Sequence, residues 1–442
     1  MNDQVLSGPA LTLDSTRGGD QGRTLGHAIA QGLAVDGGLF LPRQIPTVDP
    51  DTLPAEGFLA MSQAVLRPWV AGGEFSAAMD HILADALTSP VPLVPLSDEL
   101  FVCELFHGPT LSFKDFGART MARMLGHLLS QTGERRVILV ATSGDTGSAV
   151  ADGFAGISGI DVVLLYPDGG VSEVQERQLI VQRPGVHPFA VEGTFDGCQR
   201  MVKEAFHSPA WSDVPLSTAN SINIGRLLPQ MLYYWWSALN VTRGLGKEAP
   251  TFCVPSGNLG NLTAGVLAHL SGMPVGGFIA AHNANDFFAR YLQDARASMS
   301  ATVPTLSNAM DVGAPSNFER LEHLLPGAIM RPLIRGASVL DGETLAAMRR
   351  VFEETGYVAD PHTAVGLDVV SRMRGEAALE GPVVVMSTAH PAKFPDTCMK
   401  ATGRRPEEPE QLARLSTLPY SKTRIPADST NLASLVRSRL ES

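Results

Sequence analysis

The stretch Val137-Ile-Leu-Val-Ala-Thr-Ser-Gly-Asp-Thr-Gly-Ser148 joins a β-branched apolar run to a glycine-rich turn and the start of a predicted helix. The same order of features recurs in Thr251-Phe-Cys-Val-Pro-Ser-Gly-Asn-Leu-Gly-Asn261. Further apolar runs at 161–165, 274–281 and 383–386 predict strands between helical segments. Strands that alternate with helices indicate an α/β fold with a mostly parallel sheet.

The two glycine-rich turns predict anion-binding sites. In each, Ser-Gly-(Asp/Asn)-x-Gly follows a buried strand, so that backbone N–H groups and a helix N-terminus face a ligand. Neither turn has the Gly-Lys-Ser/Thr of a P-loop or the Gly-x-Gly-x-x-Gly of dinucleotide-binding folds. Asp145 in the first turn either contacts a cationic or hydroxyl-bearing group or caps the following helix.

Composition limits the class of protein. The chain has 442 residues and is 44% hydrophobic, which is enough for two or three packed units. Its formal net charge of −11 disfavours nucleic-acid binding. Its four cysteines are scattered and form no Cys-x-x-Cys pair, so we expect free thiols and no metal site. With neither a secretory signal nor a membrane span predicted, we expect a cytoplasmic protein without a membrane partner, either a monomer or a small homo-oligomer.

The chain divides near a proline-rich junction formed by Pro90, Pro92 and Pro95. Residues 1–95 contain several Pro/Gly turns between amphipathic segments and are predicted to form an N-terminal unit. Residues 96–442 are predicted to form the remaining region of the chain.

Lys114 is the candidate nucleophile. It lies between Phe113 and Phe116, shortly after a Gly108-Pro109 turn. An amine in apolar surroundings loses solvation, its pKa falls, and it becomes able to attack a carbonyl. The alternative is a lysine whose ammonium reaches solvent past two core phenylalanines.

Two further polar segments follow predicted strands or precede a helix. One is Thr388-Ala-His-Pro-Ala-Lys-Phe394, and the other is Asn220-Ser-Ile-Asn-Ile-Gly-Arg226. Ligands of open α/β folds bind beyond the carboxyl ends of the strands, where we expect these segments to meet the glycine turns. Arg226 would either clamp a phosphate or hold an acidic side chain. If His390 and Lys393 do not belong to the site, His390 is a loop histidine with its hydrogen bonds satisfied and Lys393 is a solvated surface charge. A Schiff-base lysine, a phosphate site and a partner for a pyridine nitrogen are what pyridoxal 5′-phosphate requires.

Taken together, these strings resemble the threonine synthase family, in the branch with a long N-terminal extension. The resemblance spans nearly the whole chain, through the strings at 31–42, 106–116, 141–147, 220–223, 255–261, 306–311 and 388–394. It implies the tryptophan-synthase-β-like pyridoxal-phosphate fold, known as fold type II, with two α/β domains and an extra N-terminal unit. In this fold residues 96–442 would be the catalytic region, with a small α/β domain at roughly 115–220 inserted in the large domain.

The resemblance also implies roles for individual residues. Lys114 would carry the cofactor as a Schiff base, Thr388 would hydrogen-bond the pyridine nitrogen, and Asp145 would lie near the 3′-oxygen of the ring. The cofactor phosphate would be bound by Gly257, Asn258, Leu259, Gly260 and Asn261. Leu259 and Asn261 stand where this branch usually has Phe and often has Asp, but both keep the backbone donors. The candidates for substrate binding are Ser143, Gly144 and Thr146 for the carboxylate, and Asn220, Ser221, Asn223, Arg226 and Lys393 for the phosphate.

The implied activity is that of a carbon–oxygen lyase. O-phospho-L-homoserine and water would become L-threonine and phosphate by γ-elimination and then β-addition of water. One alternative is another fold-type-II lyase, such as a threonine dehydratase or an O-phospho-amino-acid phospho-lyase, which would share Lys114 but release 2-oxobutanoate. The other is a non-catalytic binding protein of the same fold, against which the intact Lys114 argues.

Overall fold

The computed structural model describes residues 9–429 and 431–440. Its strands are β1 Thr12–Ser15, β2 Arg23–Thr24, β3 Phe40–Pro42, β4 Leu93–Ser97, β5 Leu100–Glu104, β6 Arg136–Ala141, β7 Ile160–Pro167, β8 Val186–Glu192, β9 Leu216–Ser217, β10 Thr251–Pro255, β11 Gly277–His282, β12 Ile334–Ser338, β13 Val383–Ser387 and β14 Thr423–Pro426. Its α-helices are α1 Leu25–Gln31, α2 Phe58–Val70, α3 Met79–Ala86, α4 Lys114–Thr132, α5 Asp145–Phe154, α6 Glu173–Ile180, α7 Phe195–His207, α8 Ile224–Leu227, α9 Met231–Leu239, α10 Gly260–Leu270, α11 Phe287–Gln293, α12 Phe318–Leu324, α13 Gly327–Leu333, α14 Asp341–Thr355, α15 Pro361–Gly375, α16 Pro395–Thr402, α17 Glu410–Leu415 and α18 Leu432–Leu440.

The largest sheet has six strands in the order β12-β11-β10-β13-β5-β4. All neighbours are parallel except β4, which runs antiparallel to β5. Every residue of β10, β11 and β13 is buried, as expected for parallel strands that are covered on both faces. The alternating α/β architecture predicted from the sequence is confirmed.

A second sheet is parallel throughout and has five strands in the order β14-β8-β7-β6-β9. Four of these strands lie within residues 115–220, the interval predicted to form the small domain. The fifth, β14, is contributed by residues 423–426 near the end of the chain and pairs with β8. The predicted interval therefore supplies most of the small sheet but not its edge strand.

The N-terminal part of the chain forms a small antiparallel sheet in the order β2-β1-β3, with α1, α2 and α3 beside it. Phe40 and Trp69 from this part pack in the same hydrophobic core as Phe116 and Phe252. The predicted boundary at residue 95 falls inside β4, which belongs to the six-stranded sheet. The N-terminal residues are thus packed continuously against the rest of the protein.

The ends of several elements differ from the sequence prediction by a few residues. The helix expected from about Ser148 begins at Asp145, because Gly144, at a φ of 125°, turns the chain directly into α5. Asp360 caps α15 as predicted, accepting a hydrogen bond from the backbone N–H of His362 at 2.9 Å. Within the described part of the chain, none of the helices combines the length and apolar character needed to cross a membrane.

Candidate active site

A cavity opens at the carboxyl ends of β6, β10 and β13, and it is lined by residues from both the five-stranded and the six-stranded sheet. The predicted site residues that line it are Lys114, Ser143, Thr146, Asn220, Ser221, Arg226, Gly257, Asn258, Leu259, Gly260, Asn261 and Thr388. Four other predicted residues do not line it, namely Gly144, Asp145, Asn223 and Lys393. The structure thus brings together most of the residues that the sequence analysis selected.

Lys114 is the first residue of α4, and its Nζ lies 4.9 Å from the centre of the Phe113 ring. Its side chain is only 15% exposed. Burial lowers the pKa of this lysine to about 8, although the Asp145 carboxylate acts in the opposite direction. The neutral, nucleophilic amine of Lys114 is therefore a minor form near neutral pH, but a far more populated one than in an ordinary lysine.

Asp145 and Lys393 form a buried ion pair beside this amine. Lys393 Nζ lies 2.7 Å from Asp145 Oδ1 and also donates to the carbonyl oxygen of Thr110 at 3.0 Å. Burial raises the pKa of the Asp145 carboxyl, but the positive charges of Lys393 and Lys114 outweigh this effect and hold the pKa well below its usual value. Lys393 is fully buried, so the interpretation of it as a solvated surface charge is wrong.

The second glycine turn, residues 257–261, forms what we call the glycine cradle. It leads into α10, whose first turn presents backbone N–H groups without intrahelical partners. Leu259 has a φ of 61°, a left-handed conformation that is rare for a branched residue. Asn261 Oδ1 accepts hydrogen bonds from two tyrosine hydroxyls, while its buried Nδ2 has no partner. An unpaired amide donor at a helix N-terminus fits a phosphate, so the cradle suits pyridoxal phosphate.

The segment from Asn220 to Arg226 divides into cavity-lining and structural residues. Asn220 lines the cavity with its buried Oδ1 unpaired, and Ser221 Oγ accepts a hydrogen bond from Asn258 Nδ2 at 2.8 Å. Asn223 instead caps α8 through its Oδ1, and its Nδ2 donates to the carbonyl oxygen of Ile29 at 2.9 Å. The Asn223 side chain is therefore committed to packing the N-terminal helix α1.

Arg226 is buried, and burial lowers its pKa to about 10. Its guanidinium donates to the carbonyl oxygens of Ala219 and Lys114, while the buried Nε has no partner. Among the described residues no carboxylate lies within ion-pair distance of it, so the interpretation of Arg226 as the holder of an acidic side chain is wrong. Its charge remains available to an anion in the cavity.

Two buried residues of the site were missed by the sequence analysis. His362 lines the cavity; its Nδ1 lies 2.6 Å from Asp360 Oδ1, and its Nε2 accepts a hydrogen bond from the backbone N–H of Ala309. Gln175 Nε2 donates to Asp145 Oδ1 at 3.0 Å. The helix cap predicted at Asp360 is the only sequence pattern near His362. No sequence pattern indicated a role for Gln175.

His390 fits the interpretation of a loop histidine whose hydrogen bonds are satisfied. Its Nδ1 accepts a hydrogen bond from the backbone N–H of Ala392, and burial lowers its pKa to about 4. Thr388 lines the cavity, and its carbonyl oxygen accepts from the N–H of Phe113, next to Lys114. The Thr388–Phe394 segment thus contributes one residue to the cavity lining and a buried cation to the ion pair with Asp145.

Three protein-family models together match nearly the whole chain. Residues 86–389 match the family described as pyridoxal-phosphate dependent enzyme, residues 13–86 match the threonine synthase N terminus, and residues 363–436 match the threonine synthase C-terminal family.

Threonine synthases of other organisms match this chain over nearly its whole length. Threonine synthase of Serratia marcescens is 39% identical over 408 residues, covering 91% of this chain and 93% of the relative, and that of Escherichia coli K12 is 38% identical, covering 93% and 95%. The solved structure of PLP-bound threonine synthase from Brucella melitensis superposes with a TM-score of 0.89 at 35% identity, covering 98% of this chain and 100% of that one. The yeast threonine synthase structure superposes with a TM-score of 0.86 at 31% identity, covering 98% of both.

Proposed function

The chain belongs to the threonine synthase family of pyridoxal-phosphate-dependent enzymes, and we propose that it converts O-phospho-L-homoserine and water to L-threonine and phosphate. One observation carries the assignment of roles: the buried amine of Lys114 lines a cavity that also contains the glycine cradle. This geometry supports Lys114 as the lysine that binds the cofactor.

The residues of the cavity fit the cofactor. We assign its phosphate to the backbone N–H groups and the unpaired Asn261 amide of the glycine cradle, and its pyridine nitrogen to the hydroxyl of Thr388. When bound, pyridoxal phosphate supplies an aldehyde that combines with amines and a conjugated ring that accepts electrons from the substrate.

Lys114 has two tasks in this scheme. Its neutral amine would hold the cofactor covalently, and when it is free of the cofactor the same amine would accept and return the proton at the α-carbon of the substrate. Both tasks require an unprotonated Nζ, and the lowered pKa of about 8 makes this form more accessible than in an ordinary lysine.

The substrate has two anionic groups, and the cavity offers two places for them. The start of α5, with Ser143 and Thr146, suits the carboxylate, because backbone N–H groups and a helix N-terminus face the cavity there. For the substrate phosphate, we favour Asn220, Ser221 and Arg226, whose polar atoms line the cavity. Asn223 and Lys393 are the weaker candidates for that role, since their polar atoms already have protein partners.

A product assay tests the proposal. The protein loaded with pyridoxal phosphate is given O-phospho-L-homoserine, and phosphate, threonine and 2-oxobutanoate are measured together. We expect phosphate and threonine in equal amounts. Phosphate with 2-oxobutanoate would instead identify a lyase of the same fold, and no phosphate release would refute the activity. Lys114→Ala is expected to abolish turnover, whereas Lys400→Ala, at an exposed lysine of α16, serves as the matched control.

For the cellular setting, we propose a cytoplasmic enzyme that works as a monomer or small homo-oligomer. The four cysteines are free and buried, which is typical of proteins in a reducing compartment. The net charge of −11 gives no reason to expect a nucleic-acid partner. Light scattering during size-exclusion chromatography would give the oligomeric state directly, and a mass far above that of a small oligomer would contradict this part.

A further inference from the structure

Two lysine side chains, Lys114 in the cavity lining and Lys393 outside it, lie close to the carboxylate of Asp145. Asp145 Oδ1 lies 2.7 Å from Lys393 Nζ, and Asp145 Oδ2 lies 3.8 Å from Lys114 Nζ. The Lys393 side chain is 0% exposed and that of Asp145 is 2% exposed. A buried cluster of this kind is sensitive to each charge that it contains.

The hydrogen bonds make Lys393, rather than Lys114, the partner of Asp145. Lys393 Nζ is fixed by a second hydrogen bond to the carbonyl oxygen of Thr110 at 3.0 Å. Asp145 Oδ1 also accepts from Gln175 Nε2 at 3.0 Å, and Gln175 Oε1 in turn accepts from Asn308 Nδ2 at 3.1 Å. The pair is therefore held from both the small-sheet side and the large-sheet side of the cavity.

The charge balance of the cluster follows from this geometry. Two protonated lysines and one carboxylate would leave an excess positive charge in a desolvated space. The lysine with the longer contact and fewer hydrogen bonds releases its proton more easily, and that lysine is Lys114.

The other charged groups around the cluster do not reverse this balance. Arg226 donates to the carbonyl oxygen of Lys114 and adds positive charge. Asp115 is engaged by the N–H and hydroxyl of Thr110, and burial raises its pKa to about 6. His362 Nδ1 lies 2.6 Å from Asp360 Oδ1, so a carboxylate stands beside this ring.

We propose that Lys393 is a positioning residue: it neutralises and orients Asp145, so that Lys114 is present as a neutral amine when it binds the cofactor and when it accepts the substrate proton. This proposal deepens the proposed function and rests on it. Lys393 then has no contact with the substrate, because its Nζ lies between Asp145 and Thr110 and does not line the cavity.

The test measures the protonation of Lys114 in the apoenzyme, without substrate. The rate at which the apoenzyme combines with added pyridoxal 5′-phosphate is measured from about pH 6 to about pH 10, and its midpoint reports the neutral fraction of Lys114. In Lys393→Met, Asp145 is left with Lys114 as its nearest cation, so we expect the midpoint to rise by about one pH unit or more. Lys400→Met is the control at an exposed lysine and should keep the wild-type midpoint.

The double variant Asp145→Asn/Lys393→Met removes both charges of the pair and supplies the second test. We expect its midpoint to return to near that of wild type, whereas Asp145→Asn alone should lower it. An unchanged midpoint in Lys393→Met, together with a raised KM for O-phospho-L-homoserine, would overturn the proposal in favour of a substrate contact. If Lys393→Met does not fold, a double variant with a midpoint well above wild type would overturn it equally.

The outcome is independent of the activity assignment. If the wild-type protein does not turn over O-phospho-L-homoserine, the proposed function fails, but the shift of the Lys114 midpoint can still be measured. If turnover is normal and the midpoint does not move, only the role of Lys393 fails.

Discussion

Gly257 approaches Met310 so closely that a Cβ atom on Gly257 would lie 2.7 Å from the Cα atom of Met310. The Met310 carbonyl carbon and oxygen would each lie 3.1 Å away. These are backbone atoms of the short turn Asn308–Met310, in which Met310 is buried. The glycine is required here by the close contact between the cradle and this turn.

Gly257→Ala is therefore expected to displace the glycine cradle and weaken cofactor binding. We predict a dissociation constant for pyridoxal phosphate that is higher by about tenfold or more, equivalent to about 1.4 kcal/mol. Titration of the apoenzyme with the cofactor, followed by absorbance, measures the change. Gly342→Ala in α14, where a Cβ meets nothing within 4 Å, is the control. Equal affinities for the Gly257→Ala and Gly342→Ala proteins would contradict the role of this contact.

Arg320 connects the N-terminal unit to the active site. Its guanidinium is fully buried and donates to the carbonyl oxygens of Phe40, Ser221 and Ile222 and to Asn317 Oδ1. Because Arg320→Met leaves these buried acceptors unpaired, we predict a loss of about 2–4 kcal/mol in the free energy of unfolding.

Denaturant unfolding of the Arg320→Met protein gives this free energy. Arg296→Met removes a guanidinium that is 90% exposed, and we expect it to change stability by less than about 0.5 kcal/mol. The account of Arg320 is wrong if both variants unfold at the same denaturant concentration.

His282, at the end of β11, makes the folded state sensitive to acid. Burial lowers the pKa of its imidazole to about 4, whereas an unfolded histidine titrates with an ordinary pKa near 6.5. Between these values the unfolded state binds a proton that the folded state does not, so the contribution to stability is complete above pH 6.5 and decreases as the pH falls towards 4. At about pH 5 the loss amounts to about 2 kcal/mol.

His282→Leu should remove this part of the pH dependence. We predict that the difference in unfolding free energy between about pH 7.5 and about pH 5 is smaller in the variant than in wild type by about 2 kcal/mol. Urea unfolding at both pH values measures it, and His81→Leu, at an exposed histidine, is the control. A pH dependence that is identical in His282→Leu and wild type would show that His282 is not its source.

Much of the fold follows from the sequence, because the central strands are apolar runs that end in glycine turns. The predicted strands at 137–140, 251–254 and 383–386 lie within β6, β10 and β13. The edge strand β14 was not predictable, since only Ile425 of its four residues is buried and its partner β8 lies more than 200 residues earlier in the chain.

The candidate site was predictable where its residues share one local motif. Lys114 and the glycine cradle each combine an unusual residue with a turn, and both line the cavity. The orientation of Lys393 was not accessible, because the same string is compatible with a side chain directed at substrate or at Asp145. His362 and Gln175 reach the site only through tertiary packing, which leaves no local pattern.

The central claim is that Lys114 is the residue that binds pyridoxal phosphate. The most direct measurement is reduction of the cofactor-loaded protein with sodium borohydride, followed by proteolysis and mass spectrometry of the peptides. The account predicts a phosphopyridoxyl group on the peptide that contains Lys114, in a yield that matches the bound cofactor, and no such label in Lys114→Ala. A stoichiometric label on another lysine, or an undiminished label in Lys114→Ala, would contradict it.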